Sequence, residues 1–342
     1  MKMSKLLKVR RFNDGPTYGP QSAVQATEIM YSIYSQIQAK WEEVKYPDYE
    51  YPKVVTPEQR ETNINPGATS YVYMIQDYRG AAAWLSQITG NNIPRVGVSF
   101  GGGIVPLQAS AVAAGISNED ARQYTMGFKS NLAMDLQKVM QKVMMNLVEA
   151  SINFGDESVN FRGFLSYPGI TLLPAAAATD GGSDTEWDHK TAQQMIADIN
   201  AAILYVYVST RTVFCPGTIY LPPHQLGLLA TTPYGLGANG GDNVVGGFFA
   251  LDALKRSNIY KAFRNKELTI YSNRYLAGAG VGGVDRMVCM EQTPENQMMP
   301  FPMPYRLGAP VPVALGVDFA AEQKHGPFCV KQPLSMIYAD GI

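Results

Sequence analysis

Apolar residues recur along this chain with two periods, and the changes between them divide it into parts. Ile29, Ile33, Ile37 and Trp41 fall every four positions, the spacing of one helix face, and predict an amphipathic helix from about 21 to 45. Tyr46 to Pro66 is rich in tyrosine and proline, which predicts a segment running extended over a surface without a core of its own. From Ser70 to Ile116 the period shortens: Tyr71, Tyr73 and Ile75 alternate, and so do Val96, Val98 and Phe100. That pattern predicts a long two-stranded antiparallel excursion with its tip near Gly90-Asn91-Asn92. Two strands are barely stable alone, so the ribbon needs a covering surface, in its own chain or on a neighbour.

Ser117 and Asp120 have the spacing of a capping box and open the clearest element. Tyr124, Phe128, Leu132, Leu136, Val139, Val143 and Leu147 follow at spacings of three or four, with no proline as far as about Asn153. They predict a strut helix over 117–153, roughly 50 Å long at 1.5 Å per residue, with that stripe as its apolar face. Gly127 inside it costs about 1 kcal/mol against alanine. Beyond the strut, the apolar run Phe161–Ile170 closes on a Pro168-Gly169 turn, and Thr179–Ser183 is a loop. A second capping box, Thr191 to Gln194, opens a helix through Ile196, Ile199, Ile203 and Val206 that ends before Pro216.

Thr218–Leu221 reads as a short strand, Pro222-Pro223 as the first turn of a short helix, and the Gly-rich stretch 235–247 has no period. Phe248–Leu254 predicts a helix, and Leu268–Tyr271 and Val284–Met290 predict strands. A Pro/Met-rich connector over 294–309 precedes two final strands, Val311–Val317 and Phe328–Tyr338. The fold class is therefore α+β.

In this order, an N-terminal arm, a long ribbon, a strut helix and then the loop Gly163-Phe164-Leu165-Ser166-Tyr167-Pro168-Gly169 resemble the tailed-bacteriophage major capsid protein family. Its Hong Kong 97-like fold is shared with encapsulin compartments. Family members usually carry Gly-Leu-Leu-Asn or a near variant at that loop, from which Phe164 and Ser166 depart. Asn92-Ile93-Pro94-Arg95-Val96, Leu276–Gly280 followed by Asp285-Arg286-Met287-Val288, and the ending Pro333–Ile342 are similar to one capsid subfamily. The resemblance spans roughly residues 60–342.

It implies an N-terminal arm at 1–57, an extended β-ribbon loop at 58–116, a peripheral domain from 117–215 and 300–342 that includes the spine helix 117–153, and an axial domain at 216–299. The implied function is assembly without catalysis. Pentamers and hexamers of one major capsid protein would form an icosahedral phage head around double-stranded DNA, which it would touch without sequence preference. The implied partners are the chain itself, a portal, a scaffold and cement or decoration proteins, in a virion assembled in the host cytoplasm. The alternative of the same fold is an encapsulin-like compartment shell. A rival of another class is a soluble nucleotide-binding enzyme.

Composition and charge sharpen this reading. Only 17% of residues are charged, against a usual value of about 25%, while 32 Gly, 22 Pro and 20 Tyr suggest many loops and much surface meant for protein contact. A net charge of -1 excludes a global basic field, although Lys2, Lys5, Lys8, Arg10 and Arg11 form a short basic arm. The first residues lack the apolar core of a secretory signal, and no stretch approaches the ~18–20 apolar residues that span a bilayer.

Candidate chemistry is sparse. Cys215, Cys289 and Cys329 are widely spaced and form neither a disulfide framework nor a zinc knuckle. His189, His224 and His325 lack metal-pair spacing. Gly278-x-Gly280-x-x-Gly283 matches a dinucleotide fingerprint, but a strand follows it where a helix should. Gly101-Gly102-Gly103 lacks the Gly-Lys-Ser/Thr of a phosphate loop and reads as a flexible bend in the ribbon. Asp184, Glu186 and Asp188 precede a helix N-terminus, which favours negative charge. Neither cofactor nor metal is expected. Of 16 methionines, Met126, Met134, Met140, Met144 and Met145 lie on the strut and predict adaptable packing. No lysine occurs between Lys53 and Lys129, so a ribbon-borne lysine cross-link of the kind some capsids use lacks its nucleophile, and the shell is expected to be non-covalent.

Overall fold

The computed structural model describes residues 45–82, 95–128, 132–175, 185–234 and 248–342. The helix expected over 21–45 lies, but for its last residue, outside these, as do the basic arm, the ribbon tip, the loop Thr179–Ser183 and the Gly-rich stretch 235–247.

The segment expected to run over a surface instead enters the core. One helical turn, α1 (Tyr51–Val54), with Pro52 in its first turn, drops Val54 and Val55 to 0% and 1% exposure. Its first N–H groups have no local cap. Glu149, nearly a hundred positions away, supplies one: its carboxylate accepts from Glu50 N (2.9 and 3.1 Å) and Tyr51 N (2.9 Å). A Thr56–Gln59 capping box then turns the chain into β1 (Arg60–Glu61).

β2 (Ser70–Arg79) and β3 (Gly97–Pro106) form the expected ribbon, antiparallel from Ser70↔Pro106 to Arg79↔Gly97. The excursion stops at Leu107, which is 3% exposed and donates its N–H to Thr69 O at 3.0 Å. Residues 108–116 are not part of it. They belong to β4 (Gln108–Ser117), which pairs along its whole length with a strand some two hundred positions later.

The strut is two helices, α2 (Asn118–Phe128) and α3 (Leu132–Asn153), with Ser117 Oγ accepting from Asp120 N at 3.0 Å as its spacing predicted. Tyr124 donates its hydroxyl to Asp135 Oδ2 at 2.8 Å. Eleven residues rise about 16 Å along a straight helix, more than these two side chains can bridge, so α2 and α3 meet at an angle and do not form one straight rod. The buried stripe of α3 is Met140, Met144, Val148 and Ile152, one position later than expected, while Val139, Val143 and Leu147 face outward.

After α3 come a small hairpin, β5 (Gly155–Asp156) and β6 (Phe161–Arg162), and then β7 (Thr171–Pro174). Gly163 starts the loop between β6 and β7, where a Cβ would lie 2.3 Å from the backbone carbon of Phe154. The Thr191–Gln194 capping box opens α4 (Ala192–Ser209), followed by β8 (Thr218–Leu221) and α5 (Pro223–Thr231). Next are α6 (Ala250–Arg256), α7 (Ile259–Arg264), β9 (Thr269–Ser272) and β10 (Arg286–Met290).

The stretch expected as a connector holds two strands, β11 (Gln297–Pro300) and β12 (Met303–Leu307). Its prolines bias the chain to extended backbone, and their missing N–H groups fall at the last residue of β11 (Pro300) and in β12, an edge strand (Pro304). The last strands also differ from expectation: β13 (Val311–Val313), β14 (Gly316–His325), β15 (Cys329–Val330) and β16 (Met336–Asp340), where two were read. β14 pairs with β4, β12 and β13, and β11 lies between β1 and β15.

The central sheet runs β7-β16-β10-β8-β9. β8, β10 and β16 are buried throughout, because both faces of the sheet are covered. Side chains alternate between two cores. Ile219, Leu221, Met287, Cys289, Ile337 and Ala339 face α4 and its Ile199 and Ile203. Tyr220, Val288, Met290, Met336 and Tyr338 face Val54, Val148, Ile152 and Phe164. Glu50–Ile342 is one compact unit around this sheet.

Candidate functional site

The ribbon register sorts its residues into two faces. On one, Val72 opposes Ile104, Met74 opposes Gly102, Gln76 opposes Phe100 and Tyr78 opposes Val98. Val72, Met74, Tyr78, Phe100 and Ile104 on this face are 53–81% exposed, an apolar surface the described chain leaves to water. The other face carries Tyr71, Tyr73 and Val105, which pack at the ribbon base against Met298 and Cys329. Gly103 seats the Tyr73 ring, since a Cβ there would lie 2.6 Å from the Tyr73 hydroxyl. The three glycines are therefore paired strand residues and not the bend expected of them.

A second uncovered apolar line is the outward stripe of α3: Val139, Val143 and Leu147, 37–44% exposed at helical spacing. The apolar period marks a real stripe, but one that the described residues leave open. The neighbouring Met140 and Met144, read as adaptable packing, form the inward one, whereas Met134 is exposed.

Buried polar groups tie the 163–169 loop and α3 to the sheets. Arg286 Nε and Nη2 bind Asp340 at 2.6 and 2.7 Å, Nη1 donates to Leu165 O, and the guanidinium lies 4.6 Å from the Tyr338 ring centre. Tyr338 donates to Phe164 O at 2.6 Å and accepts from Tyr167 N at 3.0 Å, and burial raises its phenol well above the ordinary value, so it stays a neutral donor. The Gly163–Gly169 loop is thus pinned to β10 and β16. His325 on β14 sits between the Phe161 and Phe301 rings with Nε2 3.0 Å from Ser151 Oγ on α3, and burial lowers its pKa to about 4.

Of the residues singled out for chemistry, Glu186, Asp188 and His224 share one hollow, which His189, His325 and the three cysteines do not line. His224 lies 3.7 Å from Asp188, His189 ends the single turn Trp187–His189, and His325 is far from both in the chain. Among the described residues no three His, Cys, Asp or Glu side chains stand close enough to hold a metal. The three thiols are free and buried, that of Cys289 pushed up to about 12 by burial. In the Gly278–Gly283 loop, Gly278, Gly282 and Gly283 have φ of +66°, +86° and +85°, and the loop leads into strand β10. Two of its N–H groups already donate to carboxylates: Gly278 to Asp285 at 2.8 Å and Val281 to Asp340 at 2.8 Å. A pyrophosphate here would face two acids and no helix N-terminus, so the residues do not fit a dinucleotide.

Glu186 and Asp188 do not cap α4, whose cap is Thr191. With His224, Gln225 and Asp285 they line an open hollow of about 220 Å³ beside its N-terminal end. Asp184 lies outside the described residues.

A family model described as "Major capsid protein" matches residues 80–342. Among solved structures, the fold is similar to the capsid of Myoviridae phage XM1 (TM-score 0.70, 12% identity, covering 95% of this chain and 100% of that one). It is also similar to a structure of Microbacterium phage Oxtober96 (TM-score 0.57, 11% identity, 94% and 99%) and to the capsid of an empty GTA particle (TM-score 0.55, 12% identity, 92% and 97%). At such identities the likeness is one of fold. No curated relative matches in sequence.

Proposed function

Because the chain belongs to the major capsid protein family and is a virion shell subunit that assembles with its own copies, we propose that these copies close into rings of five and six and build an icosahedral phage head around double-stranded DNA. The observation that carries this is the ribbon: two ten-residue strands with one face of large apolar side chains left in water. A face like that is stable only when covered, and in a shell the cover is the next subunit. Ribbon and arm contacts together would bury area of the obligate class, about 2,000 Å² or more per subunit.

The partition proposed for this shell keeps an arm at 1–57, an extended loop at 58–116 whose last strand, β4, pairs with β14 of the peripheral part, a peripheral part from 117–215 and 300–342, and an axial part at 216–299, with the central sheet shared by the last two. Cohesion is non-covalent, since no lysine lies between Lys53 and Lys129. DNA contact is weak and sequence-independent, in keeping with a net charge of -1. Assembly in the host cytoplasm with a portal, a scaffold and cement proteins completes the proposal. No catalytic step belongs to it.

Electron microscopy and size-exclusion chromatography of the protein expressed alone, and again with its neighbouring genes, test this reading. Closed shells, tubes or five- and six-membered rings are expected. A small monodisperse species in both preparations that binds nucleotide would overturn it.

A further inference from the structure

α4 is apolar on the side away from the core as well as on the side facing it. Met195, Ile199, Ala202, Ile203 and Val206 are 0–3% exposed in the core. On the opposite side Leu204, Tyr205 and Val208 are 40%, 43% and 64% exposed, and Val213 just past the helix is 60% exposed. From Ile199 to Thr210 there is no charged residue at all. A helix that is apolar all round is a buried helix, yet the described chain lays nothing over this side.

Two other observations fall at the same place. The helix ends in two successive left-handed residues that are not glycine, Arg211 (φ 53°) and Thr212 (φ 70°), the second β-branched. That backbone is costly and persists where its surroundings hold it, here through Thr212 N to Tyr207 O at 2.7 Å and Arg264 Nη2 to Val213 O at 2.9 Å. Phe263 of α7, 42% exposed, stacks on Tyr207 with ring centres 4.2 Å apart and widens the apolar area.

Charge supplies the third. Exposed Arg211 follows this end of α4, Arg264 reaches it through Val213 O with Glu291 at neighbouring Cys215 N, and exposed Lys261 lies on the same short helix as Arg264. The other end, about 27 Å away along an 18-residue helix, carries the hollow lined by Glu186, Asp188 and Asp285. Acid at the N-terminus and base at the C-terminus suit the helix dipole within one chain, but the dipole gives no account of the uncovered apolar side.

Resting on the shell-subunit reading, we propose that the C-terminal end of α4 is a head-to-tail contact between copies, its apolar stripe buried and its cations seated at the acid-lined hollow of the next copy. The occupant is a second copy because the chain belongs to a self-assembling family and carries both halves of the charge match. A contact of two unlike surfaces propagates into rings, and an apolar centre with a charged rim is the usual anatomy of an interface.

The test uses the full chain under conditions where the wild type assembles, with yield read by sedimentation and microscopy and subunit folding by thermal melting. Val208→Asp, with Tyr205→Ser as a milder second variant, should keep the wild-type melt yet lower shell yield at least tenfold. Lys261→Glu and Asp188→Lys should each lower it, and the double variant should restore it. Wild-type yield in Val208→Asp and Tyr205→Ser would overturn the contact, and two impaired single variants with no recovery in the double would overturn the head-to-tail pairing. A wild-type chain that never assembles would overturn the shell reading itself, a separate result.

Discussion

Ser151 of α3 and His325 of β14 meet at 3.0 Å between Oγ and Nε2, and this contact joins the strut to a ten-residue strand of the sheet beside it. His325 is 3% exposed, with an aromatic ring on either side. Since burial lowers its pKa from 6.5 to about 4, the unfolded chain binds the proton more readily between those values. This contribution to stability is whole above about pH 6.5 and is lost as the pH falls toward 4. A shift of that size predicts a loss of about 2 kcal/mol between pH 7 and pH 5. Urea titrations at both values should show it in the wild type and not in His325→Gln, and an equal loss in both would remove His325 as the cause.

Asp340 neutralises a buried arginine. Asp340→Ala leaves the Arg286 guanidinium, itself held against Leu165 O, without its counter-charge, and should cost about 3–5 kcal/mol in chemical denaturation. Arg286→Met with Asp340→Leu removes both charges and should cost less than Asp340→Ala alone. A double variant weaker than the single would contradict the charge-burial account.

Glu149 caps a helix it does not belong to. Glu149→Ala strands the N–H groups of Glu50 and Tyr51 and removes one partner of Arg274, 3.4 Å away, so roughly 2 kcal/mol of stability should be lost. Limited proteolysis should then cut faster in the stretch 45–56 than at the ribbon base, while equal rates would place the damage elsewhere.

Among the described residues nothing packs over the outward ribbon face. Phe100→Ser and Ile104→Ser, at positions 73% and 74% exposed, should change subunit stability by less than about 0.5 kcal/mol and yet reduce assembly severely. Sedimentation beside a thermal melt separates the two effects. Full assembly with both substitutions would remove this face from the interface.

Local physics wrote much of this protein legibly into its sequence. The caps at Ser117 and Thr191, the strand Thr218–Leu221, the helix after Pro222-Pro223 and the two ribbon strands stand where residue type and spacing put them, because each depends on neighbours a few positions away. The order of those parts, with the Gly-Phe-Leu loop, was enough to point to the capsid family. Tertiary structure decided the rest. It brought β4 to β14, set Glu149 on α1 and chose Met140 over Val139 as the inward side of α3. Among the described residues it also left the ribbon face and one side of α4 bare. The physical reason is common to all of these: an apolar period announces that a face will be covered, whereas what covers it, a distant strand of the same chain or the next copy of the protein, depends on contacts that no local window contains.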